Sequence, residues 1–160
     1  MHLSPQELRR RWKAANAEPS DSPARAEAYR ELAERCPAFV PNLLALGRTL
    51  ARQEATRAEA EQALRTAAEV SSGAPEPLIE LGHFLGTVRG SPVEAERAFA
   101  SAASAALGLL EEAWAGWIRA LGEQGQLDAA LEVEERARAT FPDSLRITQA
   151  VEAARRGASR

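Results

Sequence analysis

Leu43-x-x-Leu46-Gly47-x-x-Leu50 is the stretch that decides how this chain is read, because it recurs as Leu78-x-x-Leu81-Gly82-x-x-Leu85 and, altered, as Trp114-x-x-Trp117-Ile118-x-x-Leu121. The three copies start 35 and then 36 residues apart. Self-similarity at a period of this size marks an array of supersecondary units that each cover a neighbour, so it outranks any local reading. A trailing half follows each time. Ala60, Leu64 and Ala67 in the first copy match Ala95, Phe99 and Ala102 in the second, and Ala130, Glu134 and Ala137 with a closing Pro142 in the third.

Each leading half places apolar residues at i, i+3 and i+7, which is one stripe of a helix, and the small residue in the glycine slot lets the trailing helix come close. One pair cannot cover its own stripe. Stacked pairs do, so stability is a sum of repeat and neighbour-interface terms. In the third copy Trp114 and Trp117 occupy the apolar slots and are expected in the core. Ile118 in the glycine slot is expected to push the helices apart, with Gly116 and Gly122 as local accommodation.

Helix starts are marked by Ser4-Pro5-Gln6-Glu7 and Ser91-Pro92-Val93-Glu94, each with a cap, a proline in the first turn and a glutamate suited to a capping box. Ser22-Pro23 does the same without the glutamate. Gly73, Gly108 and Gly125 follow apolar-periodic segments and read as helix stops. The pattern predicts nine helices, near residues 5–17, 23–36, 41–52, 57–71, 76–87, 92–107, 111–123, 127–140 and 144–156. No segment alternates with period two, so no sheet is expected.

The first pair fits least well. Leu8, Trp12 and Ala15 fill its leading slots and Tyr29, Leu32 and Pro37 its trailing ones, but Arg11 stands where the other copies are apolar. Residues 1–39 are therefore a degenerate repeat or an N-terminal cap. Repeats follow over 40–74, 75–110 and 111–144, and 145–160 form a capping helix, with Leu145, Thr148, Val151 and Ala154 on one face and a frayed tail from Gly157 to Arg160.

A chain of 160 residues suits one domain, and its 45% hydrophobic content with only 5% aromatics suits helices packed through small side chains. The formal charge of −3 gives no global case for nucleic acid or an anionic membrane. Cys36 is the lone cysteine, so no intrachain disulfide forms, and it reads as a half-buried residue before Pro37. No run of 18 apolar residues exists, and Met1-His2-Leu3-Ser4 leads into charge, so a cytoplasmic protein is expected. His2, His83 and Cys36 have no partners at catalytic or metal-ligand spacing, which points away from an enzyme, a metal or a cofactor.

The slots Trp/Leu-x2-Leu-Gly-x2-Leu, then Ala-x3-Leu/Phe, then Pro142 resemble the tetratricopeptide repeat scheme over residues 40–144. The resemblance implies an all-α fold, a right-handed superhelical array of antiparallel helix pairs with a C-terminal capping helix. It also implies a non-enzymatic scaffold or adaptor that binds a peptide segment of another protein in a concave groove, or a homo-oligomer through exposed end repeats. Small repeat proteins of this family that hold secretion substrates are similar in length and acidity. The far side of the leading helix then lines the groove, and at about 100° per residue the position after the glycine slot lies about 140° from the start of the stripe. That position is Lys13, Arg48, His83 and Arg119, a column suited to an acidic segment in a net acidic chain. Leu44, Ile79 and Arg52, four residues to either side, are expected to face the same groove, the two aliphatics as exposed anchors. Family members that clamp a C-terminal carboxylate use lysine and asparagine at places held here by Leu44, Glu80 and Glu112, which argues against a chaperone-tail receptor.

Overall fold

The computed structural model describes residues 3–158, so the reading of Met1 and His2 and the fray at Ser159 and Arg160 lie outside the described residues, whereas Gly157 and Ala158, expected to fray with them, are helical. Among the described residues there is no strand; eight α-helices follow one another as α1 (Pro5–Ala17), α2 (Pro23–Arg35), α3 (Val40–Leu50), α4 (Arg57–Val70), α5 (Pro75–His83), α6 (Pro92–Glu123), α7 (Leu127–Thr140) and α8 (Leu145–Ala158). One turn of 3-10 helix precedes α4, and a π-helical turn, Phe84–Val88, extends α5. The chain forms two compact units, residues 1–105 and 106–160.

The expected start signals act as caps. The Ser4 hydroxyl accepts from the Glu7 N–H at 3.2 Å, and the Ser22 hydroxyl accepts from Ala24 N–H at 3.2 Å, with Pro5 and Pro23 in the first turns. Gly73 and Gly125 adopt φ of +76° and +73°, the left-handed geometry of a helix stop. Gly108 does not. It lies inside α6, which runs unbroken through 32 residues where the pattern predicts two helices, 92–107 and 111–123. The reason is local composition: alanines at 98, 100, 102, 103, 105 and 106 favour helix most strongly, and one glycine costs only about 1 kcal/mol. Neither a proline nor a Ser, Thr, Asp or Asn cap comes between Gly108 and Glu111 to restart the chain.

In the first unit the leading stripe Leu43, Leu46 and Leu50 is buried, as are Leu81 and Leu85, with Leu78 half-buried against the same core. Trailing residues Leu64, Ala60 and Ala67 are buried from the other side. The glycine slots work by contact. A Cβ on Gly47 would lie 2.6 Å from Leu64, and one on Gly82 would lie 2.8 Å from Phe99, so in both repeats the residue 17 positions on lies over the glycine. In the first pair Trp12 and Tyr29 occupy those two slots, with ring centroids 5.6 Å apart. A tryptophan in the glycine slot cannot admit α2 as closely as Gly47 admits α4. Arg11, the misfit of that pair, is tied by ion pairs to Glu7 and to Glu31 of α2.

Ion pairs stitch successive helices at the repeat spacing. Arg30 binds Glu59 through both carboxylate oxygens at 2.6 and 2.8 Å, and Arg65 meets Glu94 at 2.8 Å. Arg65 and Glu94 each lie 35 residues after their counterparts, so this is one link written twice. The Arg30 guanidinium holds the Glu59 carboxyl below its ordinary range.

The second unit has its own core of Ala115, Ile118, Ala130, Val133, Ala137, Ile147, Ala150, Val151 and Ala154. Its capping helix is positioned by the Ser144 side chain, which accepts from Ile147 N–H at 3.1 Å and donates to Glu111 at 2.5 Å. A Cβ on Gly122 would lie 2.4 Å from the Ala154 Cα, so Gly122 is a point of close helix crossing, whereas a Cβ on Gly116 would meet nothing within 4 Å. The buried face of α6 here is Ala115, Ile118 and Gly122, one residue beyond the expected stripe. Trp114 and Leu121 are consequently half-buried, and Trp117, expected in the core, is 50% exposed.

Candidate functional site

The first unit contains a cleft of about 320 Å³ lined by residues of α1, α2, α3 and the start of α5. Its aromatic wall follows from the displaced glycine slot. Trp12 packs against Tyr29 and edge-on against Phe39, with ring centroids 5.3 Å apart in the second contact. Tyr29 is wholly buried, and its hydroxyl donates to Asn16 Oδ1 at 3.2 Å while accepting from Arg25 Nε at 3.1 Å. The Arg25 guanidinium also lies over the Tyr29 ring, 5.6 Å from its centroid, and donates to the Glu18 carbonyl at 2.9 Å.

Three arginines, Arg25, Arg48 and Arg52, line this cleft against one carboxylate, Glu76. Arg48 binds Glu80 through Nε and Nη2 at 3.1 and 2.6 Å, and that carboxylate holds the guanidinium above its ordinary range. Arg52 reaches only the Ser20 carbonyl, at 3.4 Å. Among the described residues neither Arg25 nor Arg52 has a carboxylate partner, so two forked cations face the cleft with neutral acceptors alone. Guanidinium forks match carboxylates bidentately, and aromatic walls lower the local dielectric, which strengthens such a pair.

Of the residues expected in the groove, the structure brings Arg48, Arg52 and Leu44 together in this cleft. Leu44 differs from expectation in one respect: it is 3% exposed, a core residue whose flank forms the floor, because α2 and α4 enclose α3 more fully than a one-stripe reading allows. Lys13 is exposed on α1 and does not line the cleft. Ile79 is 40% exposed on α5, also outside it. His83 is exposed at the end of α5 with its ring edge against Phe99, centroids 5.1 Å apart. Arg119 belongs to the second unit and is exposed there.

Sequence reasoning missed Trp12, Asn16, Arg25 and Tyr29. Trp12 carried a signal, since it stands in a slot that is glycine in the next two copies. Arg25 lies on a trailing helix, whereas the groove logic applies to leading helices. Among the described residues no group of three His, Cys, Asp or Glu side chains is placed to hold a metal ion, and no helix is long and apolar enough to cross a membrane.

Residues 1–76 match the sequence profile of the Myxococcota tetratricopeptide repeat protein family. A Myxococcus xanthus protein, described as an uncharacterized 18.1 kDa protein in the carS 3′ region, is 68% identical over 161 residues, covering 96% of this chain and 95% of that protein. The chain belongs to the tetratricopeptide repeat family. No solved structure matches it. The stretch matched to the tetratricopeptide family spans the misfit first pair, and it contains every residue that lines the arginine cleft.

Proposed function

We propose that this protein is a non-enzymatic interaction module whose first unit takes an acidic, extended segment of a partner protein into the Arg25–Arg48–Arg52 cleft. The observation that carries this reading is the pair of guanidiniums, Arg25 and Arg52, that share a cleft with Trp12 and Tyr29 and have no carboxylate of their own. A partner's Asp, Glu or terminal carboxylate supplies what both lack, and apolar side chains beside it rest on the Trp12 ring and the Leu44 floor. Family membership supports an interaction role in general. Arg48 is then a structural brace between α3 and α5, and the column of basic side chains narrows to a three-arginine cleft.

A fluorescent peptide rich in Glu, and the same peptide with Gln in place of Glu, test this by anisotropy. The acidic peptide is expected to bind, to weaken with added salt as exposed charges are screened over about 8 Å at physiological ionic strength, and to lose binding to the Arg25→Ala/Arg52→Glu variant. Equal binding of the two peptides, or full binding by a variant with unchanged circular dichroism, would refute the assignment.

A further inference from the structure

The stripe that the repeat pattern assigns to the core is open in the second unit. Leu107, Leu110, Trp114, Trp117 and Leu121 succeed one another at steps of 3, 4, 3 and 4 along α6, the seam spacing of paired helices. Leu107, Leu110 and Trp117 are exposed, and Trp114 and Leu121 are half-buried. In the first repeat the matching stripe on α3 is closed, with the preceding helix α2 packed against α3 and all three leucines buried. In the third repeat no separate helix precedes the stripe, because the trailing positions of the second repeat and the stripe itself belong to one element, α6. The missing cover is thus a helix.

Two features say which helix. The inner stripe reads Leu110-x3-Trp114-x2-Trp117-x3-Leu121, the same in both directions, so a two-fold axis between Ala115 and Gly116 sets Leu110 beside Leu121 of a second chain and Trp114 beside its Trp117. One flank of the stripe is Ala106, Ala113 and Ala120, all exposed, the other is Ile118 and Glu111, whose carboxylate accepts from Ser144 of its own chain, and Glu112, Arg119 and Glu123 lie on the opposite side of the helix. In antiparallel order Glu111 falls opposite Ala120 of the second copy, so no like charges meet across the seam, and small residues on the other flank let two helices approach closely. We infer that the α6 stripe of the second unit is a homodimer seam, occupied by the same stripe of a second copy in antiparallel order. Such an interface is isologous, as a two-fold pairing requires. Its five side chains span roughly 21 Å of helix at 1.5 Å per residue, which is at the small end of specific interfaces, so the dimer dissociates on dilution.

Sedimentation velocity on the full chain over a wide concentration range tests this. The expected result is a mass that rises from the 17.2 kDa monomer to twice that value, and a Trp117→Glu variant that stays monomeric with unchanged circular dichroism. Leu110→Lys and Leu121→Glu variants are each expected to be monomeric alone and to form a heterodimer when mixed, because only antiparallel order brings positions 110 and 121 together. A wild-type chain that is monomeric at every concentration overturns the inference, as does a folded Trp117→Glu variant that still dimerises. Failure of the mixed pair to associate overturns the antiparallel order.

Discussion

Adding one methyl group at Gly122 and one at Gly116 should move stability in opposite directions. At Gly122 the new Cβ would stand 2.4 Å from Ala154 Cα and 2.5 Å from Ala154 Cβ, where carbons normally rest about 3.5–4.0 Å apart. Neither atom is the end of a flexible side chain, so α8 itself must retreat by about 1 Å or more, and its Gly157, whose own added Cβ would sit 3.1 Å from the Gly122 carbonyl oxygen, must move with it. Overpacking of this kind costs about 1–3 kcal/mol, and the better helix propensity of alanine returns about 1 kcal/mol. At Gly116 a Cβ meets nothing within 4 Å, so only the propensity gain remains. Because both sites lie inside α6, the propensity contributions cancel between the variants, and their difference isolates the steric cost at about 1–3 kcal/mol. Urea unfolding measured by tryptophan emission gives this difference, since Trp114 and Trp117 report on this unit. Equal stabilisation by Gly122→Ala and Gly116→Ala would mean that α6 and α8 do not cross at Gly122.

Leu81→Ala, in a side chain only 7% exposed, is expected to destabilise the first unit by about 2–5 kcal/mol, and a neutral result in thermal circular dichroism would contradict the burial of the second stripe. In the dissociated monomer at low concentration, Trp117→Phe should remove most of the acrylamide-quenchable emission while leaving the urea midpoint nearly unchanged, whereas Trp114→Phe should leave that emission in place. Arg10 and Arg11 hold the Glu7 carboxyl from 4.5 down to about 2. A depressed carboxyl contributes stability that is present above its ordinary value and is lost as pH falls from about 4.5 toward 2. Stability of the parent should therefore drop further across that window than stability of Glu7→Gln, and parallel acid profiles for the two would show that the pairing is energetically silent.

The first two repeats were legible because Leu43, Leu46 and Leu50, and then Leu81 and Leu85, obey a stripe covered by helices adjacent in sequence, the preceding one included. Periodicity carries that information fully. It carries less at Gly108, where a lone glycine reads as a stop but sits in an alanine-rich run strong enough to carry the helix through it. The third copy is displaced as a result, since an unbroken α6 leaves Trp117 with no helix to cover it. Leu44 departs from its expected exposure for a different reason: α3 is enclosed on more than one face, and one stripe cannot express that. For the cleft, the leading-helix logic found Arg48 and Arg52 but not Arg25 or Tyr29, which come from a trailing helix and meet Trp12 only in three dimensions. The Arg30–Glu59 and Arg65–Glu94 links are present in the sequence as a 35-residue echo, but long side chains can pair across so many spacings that the echo stands out only once the partners are in contact.

That echo makes the first unit extensible. Suppose residues 40–74 were duplicated in tandem. Arg30 would still find Glu59 of the first copy, Arg65 of the first copy would find Glu59 of the second at the same 29-residue separation, and Arg65 of the second would find Glu94. Gly47 and Leu64 would travel together in each copy. No cation or anion of this series would be orphaned at either junction, so a tandem duplication could lengthen this segment in a single event with the Arg–Glu series intact. The loss would fall on the Glu80 partner of Arg48 and the Arg89 partner of Glu61 in the first copy, which Ala45 and Glu54 of the second would replace.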